Sequence, residues 1–286
     1  MKHALAIGVG VVTLAALPAF AADIPVRIPT KAPVMVAPVS NWSGCYIGAN
    51  AGATWGRSDT TWTGITESPT GFAIGAATVI PAAANARFGN TGFVGGGQVG
   101  CNYQNGSLVL GVEADAQYTG LDVTRTAVSL GDTNGGPPTI TPGNITENFQ
   151  SRWLSTVRAR AGLAAGPWLF YATGGLAVAN VKFFDQICAP TAAIPGCATA
   201  SIATTRLGWT VGGGIEWMFA SNWTAKAEYL YVDLGSAAST SQYTPTAGGV
   251  NPFTAAFITH NHRFTENIVR VGLNYKFDTG PVVARY

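Results

Sequence analysis

The chain has 286 residues, a formal net charge of +2, 47% hydrophobic residues, only 10% charged ones and 36 glycines. An ordinary soluble domain carries about 25% charge. So near-neutral a chain, with no run of Lys or Arg, offers nucleic acid no electrostatic footprint.

Lys2 and His3 precede an apolar stretch, Ala4 to Leu17, and the small-residue site Ala19-Phe20-Ala21 follows. This is the pattern of a cleaved secretory signal over residues 1–21, since the stretch is too short to span a bilayer and Pro18 interrupts it. No later run reaches the about 18 apolar residues of a transmembrane helix. The hydrophobicity is dispersed, which suits alternating strands. Residues 22–41, rich in Pro and Val, read as an extended periplasmic leader.

From Cys45 to Trp55 every second residue is apolar, and Tyr46, Gly48, Asn50, Gly52 and Thr54 between them are small or polar. Lipid on one face and a lumen on the other explain both sets. The period returns in Phe93 to Tyr103, after which Asn105-Gly106 supplies a tight turn. In the third strand Leu108, Leu110, Val112, Ala114, Ala116 and Tyr118 oppose Gly111, Glu113, Asp115, Gln117 and Thr119. A fourth, Arg152 to Leu163, sets Trp153, Val157, Ala159 and Ala161 against Arg152, Thr156, Arg158 and Arg160. The fifth, Trp168 to Val181, is placed mainly by position, because both its faces are small or apolar.

Strand six, Arg206 to Phe219, turns Glu216 inward. Strand seven, Trp223 to Leu234, turns Lys226 and Glu228 inward, and strand eight, Phe264 to Phe277, does so with Arg270, Asn274 and Lys276. Short turns near Asn105, Ala165 and Ser221 alternate with long segments near 57–90, 122–148, 184–203 and 236–262. The fold predicted is an all-β, eight-stranded antiparallel transmembrane up-and-down barrel over residues 42–277, with short periplasmic turns and long outer loops. A C-terminal tail, 278–286, follows it.

Aromatic residues at the strand ends mark two girdles. Trp55, Phe93, Tyr118, Trp153 and Trp209 stand at the loop ends, and Trp42, Tyr103, Trp168, Trp217 and Trp223 at the turn ends. About 10 residues separate them, and at roughly 3.3 Å per residue and a tilt near 45° this gives about 23 Å, the height of an outer-membrane apolar band.

The inward charges define a candidate site: Glu113, Asp115, Glu216 and Glu228 against Arg152, Arg158, Arg160, Lys226, Arg270 and Lys276. An unpaired buried charge is costly and an eight-stranded barrel is just wide enough for its own side chains, so these groups are expected to pair and plug the lumen. Gly95-Gly96-Gly97-Gln98-Val99-Gly100 formally matches a dinucleotide-binding motif, but it lies within a strand and no helix follows. His260 and His262 could share one face of a strand end and hold a surface metal or haem, but no third ligand accompanies them. No metal, catalytic or cofactor-binding residue is assigned. Cys188 and Cys197 bracket a short Pro- and Gly-containing segment that suits a loop disulfide. Cys45 and Cys101 lie close to being cross-strand neighbours and form a second candidate pair.

Asn41-Trp42-Ser43-Gly44, Gly92 to Gly100, Leu110 to Asp115, Lys226 to Tyr231 and Asn267 to Phe277 resemble the small outer-membrane barrels known as outer membrane immunogenic proteins, of the porin-family group of alphaproteobacteria. The resemblance implies an eight-stranded barrel in the Gram-negative outer membrane, a surface antigen without a catalytic motif. Two features depart from it: Cys45 and Cys101 stand where an aromatic is expected, and the tail runs on past Phe277. Phe277 is read as the closing assembly-signal aromatic, with Tyr286 as the alternative. The function expected is structural, a monomer or weak oligomer in contact with lipid, lipopolysaccharide and the barrel-assembly machinery. A narrow porin and a loop-mediated receptor or adhesin, such as one for haem, stay open at this point.

Overall fold

The computed structural model describes residues 40–66, 86–132, 140–189, 196–245 and 257–277. They form eight strands: β1 (Gly44–Thr66), β2 (Ala86–Asn105), β3 (Leu108–Asp132), β4 (Ile140–Ala165), β5 (Trp168–Ala189), β6 (Gly196–Ala220), β7 (Trp223–Pro245) and β8 (Phe257–Lys276). Each strand pairs antiparallel with the next, and β1 pairs with β8 from Tyr46↔Lys276 to Thr66↔Phe257. Between the girdles every strand of the described residues is paired on both sides, as a span through hydrocarbon requires, while beyond the outer girdle the β2–β3 ladder ends at Val94↔Thr119 and the β6–β7 ladder is broken between Thr199 and Trp209. The residues read as the signal and the tail lie outside the described residues, as does most of the leader.

Two-residue turns close the periplasmic hairpins, joining Asn105 to Leu108, Ala165 to Trp168 and Ala220 to Trp223. Gly106 and Gly166 adopt φ of 61° and 59°, the left-handed region where a Cβ is disfavoured. This places the chemistry of the first two turns in single residues.

Between the girdles the outward face is apolar. Val112, Val157, Leu176, Val211 and Val271 are all exposed on it, and the inward face is polar. Beyond the outer girdle the strands continue into segments that read as loops in sequence, and there the polarity inverts. On β4, Ile145 and Phe149 turn inward and Asn144, Thr146, Asn148 and Gln150 outward. On β3, Leu121 and Val123 turn inward and Asp122 and Thr124 outward. Outside the bilayer the outer wall meets water, so the apolar residues move to the inside.

One irregularity corrects the lumen assignment. The β3–β4 register shifts between Tyr118 and Leu121, and the β4–β5 register between Ser151 and Leu154. At this bulge Arg152 and Trp153 both point outward, while Ser151 and Leu154 point in. A bulge adds one residue to the strand and so reverses the alternation beyond it. Arg152 is therefore a surface residue and not part of the lumen.

Trp42 is the second correction. It precedes β1, so strand alternation does not bind it, and it is 1% exposed, packed with Val109, Leu169 and Tyr171 at the periplasmic end of the barrel. Its backbone N–H donates to Gln104 Oε1 at 2.7 Å. Trp42 caps the lumen and does not join the girdle, whereas Trp55, Phe93, Tyr103, Tyr118, Trp153, Trp168, Trp209, Trp217 and Trp223 face outward. Trp168 stacks on Trp217 with centroids 5.7 Å apart, and Trp223 meets Tyr275 edge-on at 5.2 Å.

Candidate functional site

The inward face of the membrane-spanning wall supplies one polar side chain or more from every strand, and these meet in the middle of the barrel. Arg158 on β4 is 1% exposed. Its Nη2 donates to Glu113 Oε1 at 2.5 Å and to Asp115 Oδ2 at 2.8 Å, both on β3, and its Nη1 reaches across to Glu228 Oε1 on β7 at 3.1 Å. Arg270 on β8 donates through Nε to Glu228 Oε2 at 2.9 Å, through Nη2 to Asp115 Oδ2 at 2.9 Å and through Nη1 to Gln117 Oε1 at 2.8 Å. Lys226 holds both oxygens of Glu113 at 2.8 Å.

Arg160 completes the set toward the periplasm. It donates to Glu216 Oε2 at 2.6 Å and to the Tyr46 hydroxyl at 2.7 Å, and its guanidinium lies 4.1 Å from the centroid of Tyr171. The Tyr46 hydroxyl donates to Glu113 and that of Tyr171 to Glu228. Gln98, Asn50 and Asn274 extend the network to β2, β1 and β8. Four carboxylates, Glu113, Asp115, Glu216 and Glu228, thus face four cations, Arg158, Arg160, Lys226 and Arg270. The charges balance within this layer, which is the condition for burying them.

Glycines make the room. A Cβ on Gly100 would stand 2.4 Å from the Tyr46 hydroxyl, and one on Gly214 2.7 Å from that of Tyr171. Gly100, the last glycine of the apparent nucleotide motif, is the space into which Tyr46 reaches.

Lys276 sits at the periplasmic end, where its Nζ donates to the carbonyl of Asn41. Above the charged layer the lumen is mainly apolar: Leu121, Phe149, Leu154, Phe183, Leu230, Phe264 and Ile268 form one cluster, and the buried carboxyl of Glu266 among them accepts from the Thr54 hydroxyl at 2.5 Å. Phe149 lies with its ring centroid 4.3 Å from that of Phe264 and 5.0 Å from that of Phe183.

A second polar layer lies above the apolar one. His262 and His260 turn inward on β8 and are buried, not exposed at the surface. His262 Nε2 lies 2.7 Å from Asp185 Oδ2 and its Nδ1 3.1 Å from Thr60 Oγ1, while His260 Nε2 lies 2.8 Å from Ser241 Oγ. Arg125 pairs with Glu147 at 2.9 Å in the same region. Sequence reasoning assigned neither Asp185 nor Glu147 to a lumen, because both lie in segments read as loops. Among the described residues no group of three or more His, Cys, Asp or Glu is arranged to hold a metal ion.

The four cysteines form two disulfides. Cys45 and Cys101 are direct ladder partners on β1 and β2, and Cys188 and Cys197 are partners on β5 and β6. Phe277 faces outward against Tyr275, and its N–H donates to the carbonyl of Cys45. Tyr286 lies outside the described residues.

The profile of the outer membrane protein beta-barrel domain family matches residues 7–277. The chain belongs to this family. Among members of known sequence it is similar to the 31 kDa outer-membrane immunogenic protein of Brucella melitensis, 32% identical over 261 residues that cover 91% of this chain and 93% of the relative. It is also similar to the 22 kDa outer membrane protein of Rhizobium leguminosarum bv. viciae, 30% identical over 184 residues that cover 64% of this chain and 66% of the relative. The crystal structure of the outer membrane protein OprG from Pseudomonas aeruginosa aligns with 84% of this chain and 99% of its own, at 12% identity and a TM-score of 0.42, too loose a likeness to carry an argument. As a member of the outer-membrane β-barrel family, the protein is located in the outer membrane of a Gram-negative cell.

Proposed function

We propose that the protein is a closed, non-conducting structural barrel, not an enzyme, which contributes to envelope integrity and carries its outer strand ends clear of the bilayer. The observation behind this reading is the reach of Arg158, which contacts Glu113, Asp115 and Glu228 and so ties β4 to β3 and β7 through the middle of the lumen. The apolar layer around Phe149 and Phe264 fills the next section of the same passage. An ion crossing the barrel would have to part both layers. On this reading the partners are outer-membrane lipid and lipopolysaccharide around the wall, and the barrel-assembly machinery during insertion.

Planar-bilayer recording on refolded protein tests the reading. The expected record shows no discrete openings at moderate voltage. Reproducible single-channel steps whose size scales with salt concentration would overturn it in favour of a narrow porin.

A further inference from the structure

Just outside the outer girdle, the wall formed by β2, β1 and β8 carries three arginines. Arg57 stands two residues beyond Trp55 on β1, facing Gly89 of β2 and Thr265 of β8. Asp59, one step further, has Arg87 and Arg263 as its two ladder partners. At about 3.3 Å per residue and a tilt near 45°, these two rows lie about 5 Å and about 9 Å above the girdle, the depth of lipid headgroups.

Two of the three arginines are already paired. Asp59 is held by Arg87 through Nε at 2.6 Å, and Asp233 by Arg263 through Nη2 at 2.9 Å. A further carboxylate, Asp122 on β3, accepts from the amides of Asn148 and Gln150. Among the described residues, Arg57 meets no carboxylate, and the terminal nitrogens of Arg87 meet no acceptor.

Between β1 and β2 the same face is recessed. A hollow of about 410 Å3 is lined by Trp55, Gly56, Arg57, Arg87, Asn90 and neighbouring residues, with Gly56 and Gly89 contributing no side chain. Trp55, Arg57 and Arg87 are the large side chains of its lining, and among the described residues no carboxylate lines it. Guanidinium groups match phosphate oxygens in a bidentate geometry that an ammonium cannot supply.

We infer that this hollow is a binding site for the phosphate of an outer-leaflet glycolipid, with Arg57 and Arg87 as its ligands and Trp55 against the sugar or upper acyl chain. The occupant follows from charge and position together: the site is cationic, it opens sideways at headgroup depth, and the leaflet there is the outer leaflet of the outer membrane. The inference stands whether or not the lumen conducts, because Trp55, Arg57 and Arg87 all lie on the outer face of the wall.

The test is binding of purified lipopolysaccharide to the refolded full chain in detergent micelles, read by the quenching of tryptophan fluorescence and by co-migration on a native gel. The wild-type protein should bind phosphorylated lipopolysaccharide at least tenfold more tightly than the same material after dephosphorylation. Arg57→Ala should remove most of that preference, and Arg57→Ala with Arg87→Ala all of it, while Lys182→Ala, outward-facing on β5, leaves it intact. The variants' folding is checked by heat-modifiable gel migration, and Arg57→Lys serves as a milder second variant, expected to fall between. Equal binding of the two lipopolysaccharide forms, or an unchanged preference in the double variant, would overturn the proposal. Displacement of lipopolysaccharide by micromolar inorganic phosphate would overturn the lipid source and leave a free-anion site instead.

Discussion

Glu228 of β7 faces Arg270 of β8 directly across the ladder, and the guanidinium reaches its Oε2 through Nε at 2.9 Å and Nη2 at 2.7 Å. The other oxygen of Glu228 accepts from Arg158 and from Tyr171. Glu228→Ala therefore leaves two buried guanidinium groups short of one counter-charge. Breaking such a network on one side costs about 3–5 kcal/mol. Urea unfolding in detergent, followed by gel migration, should show a loss of that order for Glu228→Ala and a smaller one for Glu228→Gln, which keeps the shape and part of the hydrogen bonding. A loss below about 0.5 kcal/mol for both would mean that the charged layer does not stabilise the barrel.

Arg152 and Arg158 share the same strand and the same parity, yet the bulge at Ser151–Leu154 sends them to opposite faces. Arg152→Ala should therefore change stability by no more than about 0.5 kcal/mol, the range of ordinary surface substitutions. Arg158→Ala should cost several times as much, because it strands Glu113, Asp115 and Glu228 in a closed interior. The pair measured side by side in one unfolding assay checks the bulge: equal losses would place both arginines in the lumen.

The bulge also shows where reading by alternation ends. The faces of Glu113, Asp115, Arg158, Arg160, Lys226, Glu228 and Arg270 are legible in a two-residue period as long as the ladder is unbroken, but one inserted residue reverses every assignment beyond it. Trp42 escapes the pattern for a different reason, since it lies before the first paired residue and follows packing, not pleat. The outer halves of the strands escape for a third. A search for apolar-outward alternation cannot find Phe149, Phe183 or Phe264 as wall residues, because above the bilayer these apolar side chains point inward and Asn148, Lys182 and Arg263 point out.

His260 lies seven residues beyond Asn267, the ladder partner of Trp55, about 16 Å above the outer girdle and so outside the membrane. Burial lowers its imidazole to about 4, Asp185 pulls it upward and His262 pushes it down. The groups around it are Ser241 on β7, Asp185 on β5, His262 on its own strand and Thr60 on β1, with the Arg125–Glu147 pair on β3 and β4 in the same layer. An unfolded histidine titrates near 6.5, so the unfolded chain binds the proton first on acidification. The neutral His260 therefore favours the fold fully above about pH 6.5, and this contribution disappears as the pH falls from there to about 4. Unfolding measured across this window should show wild-type protein losing more stability than His260→Gln. Parallel pH profiles would remove His260 as the cause.

Cys45–Cys101 ties β1 to β2 near the periplasmic side, and Cys188–Cys197 ties β5 to β6 at the far end of the outer wall. Peptide mapping without reductant should recover exactly these two linked pairs and no alkylated thiol at the four positions. Disulfides of this kind contribute about 2–4 kcal/mol by restricting the unfolded chain. Because a ladder already joins each pair of strands, reduction should lower the unfolding midpoint and leave the β-sheet circular dichroism of the folded barrel unchanged. Loss of that spectrum on reduction would make the bridges a condition of folding.

The continuation of the strands past the outer girdle has a consequence for how the two halves of the wall respond to change. From Tyr118 to Asp132 on β3, the wall rises about 33 Å at 3.3 Å per residue and a tilt near 45°. A substitution at the tip of such a wall is separated from the lipid by a water-facing palisade with an interior of its own. The tip can be rewritten without retuning the part that the membrane holds, and the buried charge network can stay fixed while the cell's outermost face varies.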